Sequence, residues 1–452
     1  MSSHSIHVLP STRTDYDIVV CGAGCAGLCA ALAAARLGAK VLLIERSGFA
    51  GGIITNVGLS YFDGIADALT DRIVLRGLPL EFLSRLGICN ENATHLDQVD
   101  PDRAVYKAGA ITIRNLEEFK ILADRMMKEC STTLDVLYHS LVCDAELVEG
   151  RVRKITVANK NGLVRISSRV YIDCTGDADL ARFSGVGIVG AGDLMPMTLH
   201  FRIGQVQNSS RLREAVRREV LAAHAAGELE LFYGPHFGYL FGRDEITIHS
   251  VRVKGNGADA WDLSRAETQG RSDAWTMFER WKRNIPEFKD AYFLLSGPQI
   301  GVRESYRILG QATLSETDIM ERRQYDDGVA TGTWYMDVHP NETTLDSANS
   351  VPAVWPGTYD IRYGTLLPPD ASNLLVAGRC HSASRAAASS SRVTCTAMAM
   401  GQAAGVAAYL AVKQKRDPLS LPGQLVRQKL EELAVWPKND PPIQSTRVCA
   451  PL

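Results

Sequence analysis

The chain has 452 residues, 46% of them apolar and 22% charged, with a formal net charge of −2. That balance suits one large globular domain or two, and gives no electrostatic basis for binding nucleic acid or an anionic membrane. The 10 cysteines are scattered without CxxC or paired Cys/His spacing, so neither a metal site nor a disulfide framework is expected.

Residues 1–14 lack the apolar core of a signal peptide and read as a flexible tail carrying His4 and His7, which fits a cytoplasmic protein. The stretch that follows, DIVVCGAGCAGLCAALAAARLGAKVLLIER, reads as a βαβ unit. A strand at 18–21 runs into a glycine-rich turn, then a helix at about 28–37, then a strand at 41–44 that ends on Glu45. In such a unit Gly22 makes the tight turn, Gly24 lets backbone approach a pyrophosphate, and Gly27 lets helix and strand pack closely. Cys25 and Ala26 complete the turn, where free N–H groups and the helix dipole favour phosphate. Glu45 stands where a carboxylate accepts the hydroxyls of an adenosine ribose. It would repel a 2′-phosphate, although the adjacent Arg46 keeps that option open. Gly51 and Gly52 offer a second place of close backbone approach, as a long dinucleotide requires. Cys21, Cys25 and Cys29 read as small apolar fillers, with a reactive thiol at Cys25 as the alternative.

Residues 55–115 are mixed, with short helical patterns at 69–74 and 79–86, and 116–129 reads as an amphipathic helix. Three β-rich runs follow at 134–147, 152–157 and 163–173, with turns at Gly150 and Asn161-Gly162. The last run delivers Thr175-Gly176-Asp177, with Asp177 expected as a helix N-cap or first-turn acid and Gly176 placed to lie against the dinucleotide.

The character changes over 194–359. In MTLHFRI the residues Met197, Leu199, Phe201 and Ile203 alternate with Thr198, His200 and Arg202, so one face is buried and the other presents polar groups. A polar helix at 211–226, aromatic β-like segments at 232–241, a strand at 246–252 and a long helix at 265–283 follow. Asn284 to Pro286 and the turn at 368–370 are breakers. Residues 373–411 then give a strand at 374–377, Gly378, a Ser/Ala-rich loop with His381, Arg385 and Arg392, and a small-residue helix from about Thr394. Its charge-free run contains Gly401xxxGly405, which can mark a membrane helix; its weak hydrophobicity favours a helix buried on a sheet.

Taken together, GAGCAG with Glu45-Arg46 and Gly51-Gly52, then CTGDADLA, GVRESYRILG, and NLLVAGRCHSAS with RVTCTAMAMGQAAG resemble the FAD-dependent oxidoreductases related to fumarate reductase flavoproteins. The branch with the flavin domain of heterodisulfide reductase is the nearest likeness, although cluster-ligating cysteines are missing. The resemblance implies an α/β fold: a Rossmann-like FAD-binding domain of glutathione-reductase type, discontinuous over 15–193 and 361–415, with an inserted α+β substrate domain over 194–360 and a C-terminal helix and tail over 416–452. It implies FAD in an extended pose. The ADP end would lie on Gly22 to Gly27 and Glu45; the flavin end would lie by Gly51-Gly52 and the block containing Gly378, Arg379, Arg392, Thr396 and Ala397; Val142 and Thr175 to Asp177 would also lie against the cofactor. Where such proteins carry a Gly-Asp pair that holds the ribityl chain, this chain has Gly378-Arg379, so that contact does not carry over.

A helix starting near Thr394 with its N-terminus toward the flavin would stabilise the reduced cofactor, and Arg392 would either add charge there or form a salt bridge. Dehydrogenation needs a proton acceptor, and histidine is the usual one near neutral pH. His381 in the flavin-side loop is the first candidate, followed by His200 and His249. Arg303 in GVRESYR has the planar guanidinium that suits a substrate carboxylate or carbonyl, with a structural ion pair as the alternative. Tyr359 and Tyr363 either line the pocket or pack. The expected function is oxidation of a small polar metabolite by hydride transfer to flavin N5, as a dehydrogenase or oxidase. The alternatives are an NAD(P)H-dependent flavin monooxygenase, a double-bond reductase, and a non-redox, NAD-consuming protein like thiazole synthase. The expected partner is a small molecule, not nucleic acid or membrane, and the helix with Trp275 and Trp281 is a candidate homo-oligomer interface.

Overall fold

A strongly apolar hexapeptide next to an alanine-rich helix sets the architecture. Tyr16–Cys21 (β1) and Val41–Ile44 (β2) bury nearly every side chain, as strands covered on both faces must. In this computed structural model, residues 8–10, 16–190, 192, 194–232, 234, 237–240, 244–341 and 354–435 are described. The tail at 1–14 lies outside them except for the backbone of 8–10, as do part of the aromatic run at 232–241 and the tail from 436 onward.

With Leu134–Leu137 (β3), Ser168–Asp173 (β4) and Leu374–Val376 (β5), the first two strands form a five-stranded, all-parallel sheet in the order β5-β4-β1-β2-β3. Helix α1, Cys25–Arg36, starts at once after the glycine turn, three residues earlier than the apolar pattern suggests. Helix α2, Leu116–Glu129, has the bounds read from its periodicity, with Asn115 capping the amides of Glu117 and Glu118.

Two readings are corrected here. The first and third β-rich runs are each divided between two sheets: 134–137 and 168–173 join the parallel sheet, while 141–148, 151–159 and 162–166 form the antiparallel meander. The divisions are a turn at His139, with φ +50°, and a single residue at Ser167, neither of which interrupts the apolar pattern. The pattern at 69–74 is no helix. Asp67 accepts the Leu69 amide at 2.9 Å and Asp71 turns the chain at φ +57°, closing a hairpin of Ala66–Asp67 on Arg72–Ile73.

A second apolar core gathers residues between Met197 and Ile300. It lies between a four-stranded antiparallel sheet, with Phe201–Gly204 in its interior, and the helices Leu212–Ala225 and Ala260–Asn284 (α3). Leu314, Ile319, Val329 and Ala330 belong to the first core, so the chain returns to it well before the boundary at 360. Trp281 is buried in the second core, whereas Trp275 on the same helix is 49% exposed.

Helix α4, Arg385–Ser391, occupies what reads as loop, and α5, Thr394–Lys413, follows it. By length and composition α5 could cross a membrane, but 78% of that window is buried in the protein. A Cβ at Gly401 or Gly405 would stand 2.0 Å from the Ala26 carbonyl or 2.2 Å from that of Ala30. The GxxxG spacing therefore serves close packing of α5 on α1.

Candidate functional site

The first part of the site is a cleft at the carboxyl ends of β1, β2 and β4. Gly22 turns the chain at φ +93°, and Gly27 lies so close behind it that an added Cβ would stand 1.8 Å from the Gly22 carbonyl. At Gly24, the N-cap of α1, an added Cβ would meet nothing nearer than Gly52 Cα at 3.9 Å and would fill the cleft instead. Gly22, Gly24, Glu45, Arg46, Gly52, Val142 and Thr175 line this one cleft, so seven residues singled out in the sequence are brought together. The Glu45 carboxylate is buried and accepts the amides of Ala23 (2.7 Å) and Ser47 (2.8 Å). Each oxygen keeps acceptor capacity beyond its one amide. Arg46 reaches Gln299 at 3.3 Å.

Cys25 and Ala26 begin α1 and are buried. The Cys25 thiol donates to the Gly51 carbonyl at 3.4 Å, and burial pushes it up to about 12, which removes the reactive-thiol alternative. In the native protein, Cys25 is expected to resist alkylation at pH 8 while reacting after denaturation; peptide mapping of labelled thiols checks this.

The second part is a triangle of side chains from three distant motifs. Asp177 accepts from Arg379 (2.7 Å) and Ser305 (2.6 Å), and Arg379 also reaches Ser305 at 2.5 Å. Burial alone would raise the Asp177 carboxyl, but Arg379 and Ser305 outweigh it and hold it below the usual range. Asp177 is thus neither the N-cap nor a first-turn residue. The helix Asp179–Phe183 starts after Ala178, at φ +56°, and Asp173 secures the turn through Thr175 and the Ala181 amide. Gly176 lies under the Arg379 guanidinium, and Gly378 precedes that arginine at φ +90°.

The third part is a cluster of polar side chains where the two cores meet. Thr198, His200 and Arg202 are buried like their apolar neighbours, because Gly58 and Ser60 lie against His200 and Arg202 on the face expected to be polar. Arg202, for example, donates to Ser60 at 3.0 Å. Arg252 (2.5 Å) and Arg303 both donate to the Thr198 hydroxyl, and Arg303 donates to the Pro196 carbonyl at 2.8 Å. His200 stacks on His249 at 5.6 Å, and the Tyr61 ring meets His249 edge-on at 5.9 Å. Burial, then Arg303 and Arg252, press His200 down to about 3, so it is neutral at physiological pH.

Arg392 donates to Asp337 at the carbonyl (3.2 Å) and the carboxylate (3.4 Å). His339 bridges Asp337 (3.1 Å) and Arg252 (3.4 Å). Burial keeps His339 neutral against the pull of Asp337, so Nδ1 accepts from the guanidinium and Nε2–H donates to the carboxylate. Thr394 and Thr396 open α5 with buried hydroxyls that have no partner among the described residues, and Ala397 follows on the same turn. Tyr61, Asp63, Arg252, Asp337 and His339 were missed in the sequence. The one available signal was Asp337-Val-His339, whose i, i+2 spacing puts both polar groups on one side of an extended segment.

His381 makes its hydrogen bonds to other residues. It is fully buried, with Nε2 on Ser391 (2.7 Å) and Nδ1 on Thr365 (3.4 Å), and burial lowers it to about 3. These are the surroundings of a structural histidine. Tyr359 bonds Ser390 and Tyr363 bonds the Pro418 carbonyl, both buried, so they pack.

The family model described as FAD dependent oxidoreductase matches residues 17–430. Digeranylgeranylglycerophospholipid reductase 2 of Methanothermobacter thermautotrophicus is 26% identical over 172 residues, which are 38% of this chain and 42% of that relative. The match thus spans less than half of the relative's length. A triple mutant of the flavin-dependent brominase Bmp2 aligns with 92% of this chain and 84% of its own at a TM-score of 0.50 and 14% identity, a likeness of fold alone. A geranylgeranyl bacteriochlorophyll reductase-like protein from Thermoplasma acidophilum covers 93% of this chain and 84% of its own at a TM-score of 0.47 and 13% identity.

Proposed function

The chain belongs to the FAD dependent oxidoreductase family, and we propose that it oxidises a small polar metabolite at a C–H bond next to oxygen or nitrogen. Bound FAD supplies the hydride acceptor at N5. The residues present fit this cofactor. The space over Gly24 and the remaining acceptor capacity of Glu45 suit the ADP moiety, with Gly22, Cys25, Ala26, Gly27, Arg46 and Val142 around it. The unpartnered hydroxyls of Thr394 and Thr396 at the start of α5 suit the polar edge of the flavin, with Ala397, Arg392, Gly51, Gly52 and Thr175 to Asp177 nearby in this reading. Arg379, tied to Asp177, acts by positioning that acid. The glutathione-reductase type of domain, the inserted substrate domain and the kinship with fumarate reductase flavoproteins belong to the same proposal.

The observation that carries the reading is the cluster of His200, His249, Arg252 and Arg303 around Thr198 where the two cores meet. Arg252 and Arg303 would orient a substrate oxygen; His200, whose ring makes no hydrogen bond to the described residues, would accept one from the substrate's O–H or N–H. His249 holds the His200 ring by stacking. Burial of Thr198, His200 and Arg252 excludes water from the reacting bond.

An anaerobic visible spectrum tests the reading. Flavin that stays oxidised with NADH or NADPH and bleaches with a small hydroxy or amino compound supports it. Rapid bleaching by NAD(P)H, reversed by oxygen, would replace it with a monooxygenase or reductase. His200→Ala is expected to retain flavin and lose about 10²–10⁴-fold in the rate of substrate-driven bleaching; an unchanged rate would remove His200 from the chemistry.

A further inference from the structure

We propose that the cleft between the two cores at Arg202 is a binding site for a monocarboxylate with an apolar body, apart from the oxidation proposed at His200. Its cavity has a volume of about 520 Å³, within the range of about 300–1,000 Å³ that small-molecule pockets occupy. One wall comes from the first core, through Leu86, Ile88, Ile113 and Leu116, the last being the first residue of α2. The other wall is the strand Tyr292–Ser296, at one edge of the four-stranded sheet, with Pro298 beyond it.

An irregularity in that strand makes the second wall apolar. In regular pairing, successive side chains point to opposite faces of a sheet. Here Arg202 pairs with Leu295 and Ile203 with Phe293, so Leu294 is an extra residue, and a bulge of this kind re-aims side chains. Leu294 and Leu295 consequently both line the cavity, and they stay 39% and 43% exposed. The apolar body of a ligand would give these adjacent leucines the burial that the chain itself does not. Residues directly opposite each other across a strand pair share a face, which puts Arg202 on the same side as Leu295.

The inner end of the cavity is polar. Arg202 lines it and is only 8% exposed. It donates to Ser60 (3.0 Å), to Glu245 (3.2 Å) and to the Arg114 carbonyl (3.5 Å). A guanidinium carries five N–H donors in a planar fork, and the Arg202 Nε–H has no partner among the described residues. Arg114 lines the same cavity, and its guanidinium donates to the neutral Pro101 carbonyl at 2.6 Å. A carboxylate is the acceptor that matches such forks. The acids Glu117 and Glu118 at the mouth are engaged by Lys120 (2.7 Å) and Arg103 (3.2 Å), which lowers their repulsion of an entering anion. Gly58 and Gly297 close the cavity toward His200: an added Cβ at Gly58 would lie 3.6 Å from Gly297 Cα and 3.9 Å from His200 Cβ. The cavity shares no lining residue with the cleft over Gly24 and Glu45.

Calorimetric titration of the flavin-loaded protein with octanoate, 1-octanol and octylamine tests this. Octanoate is expected to bind about 10–100-fold more tightly than the other two, the contribution of hydrogen bonds to a charged group. Arg202→Gln should erase that preference. Because Arg202 is buried against Ser60 and Glu245 and its loss threatens folding, Leu295→Asp at the exposed rim is the second variant. It should keep its flavin and its melting temperature and weaken octanoate about tenfold or more. An octanoate with a diazirine near its tail should label the peptides that hold residues 86–88, 113–116 or 294–298. Equal affinity for the three compounds, unchanged octanoate binding in Leu295→Asp, or label confined to other segments would overturn the proposal.

Discussion

Gly27→Ala is expected to yield protein that accumulates poorly and carries no flavin after desalting. The added methyl group would stand 1.8 Å from the Gly22 carbonyl and 3.0 Å from Cys174 Cβ, and neither side can yield. Gly22 is itself wedged against the Cys174 carbonyl, where its own Cβ would stand 2.6 Å away. Helix α1 cannot retreat, because 11 of its residues, Cys25 to Ala35, are buried and α5 bears on it through Gly401 and Gly405. Overpacking of this kind costs about 1–3 kcal/mol or more, against a total stability on the order of 5–15 kcal/mol. The displaced carbonyl also belongs to the turn proposed to hold the pyrophosphate. A flavin-to-protein ratio equal to the wild type would refute this account.

Arg379→Ala should destabilise by about 3–5 kcal/mol, the cost of leaving a buried charge without its partner. Asp177 is 13% exposed at its side chain and would keep only Ser305. The sign with pH follows from its depressed carboxyl. In the wild type the Asp177 contribution is present above its unfolded value and lost as pH falls through the lower folded one. The deficit of Arg379→Ala should therefore be largest near neutrality and shrink below about pH 4, where the orphaned acid protonates. Denaturant melts at both pH values measure it, and Asp177→Asn in the same chain should recover part of the loss. Equal deficits at pH 4 and 7 would show that lost packing, and not lost charge, is responsible.

The parts of the molecule legible in the sequence are those whose chemistry is local. The β1–α1–β2 unit, α2, and the β5 strand with α5 announce themselves by apolar period and glycine spacing, and their observed bounds lie within a few residues of the reading. Seven residues chosen for a dinucleotide meet in one cleft for the same reason. The cluster was largely illegible because its members come from short extended segments without periodicity. Asp63 is placed by a hydrogen bond from Cys395, and Asp337 by one from Arg392. No pattern within either segment signals such a partner. Burial of Thr198, His200 and Arg202 was hidden too, since alternation reports two faces but not what covers the second. The partners of His381, Thr365 and Ser391, were hidden because they come from other segments than the Gly378 turn that singled it out. Asp177 misled because N-cap chemistry and ion-pair chemistry use the same residue type.

The position of β5 has a consequence for how the protein is made. The sheet takes this edge strand from Leu374–Val376, and α1 finds its packing partner in a helix that ends at Lys413. During synthesis, β1 to β4 therefore emerge long before the elements that cover them, and the intervening chain must be translated before the sheet is complete. Such a high contact order is slow to close, and an uncovered apolar α1 is the kind of surface that chaperones hold. Nascent chains stalled before residue 374 should remain protease-sensitive and flavin-free, and acquire both resistance and colour together once α5 has cleared the ribosome.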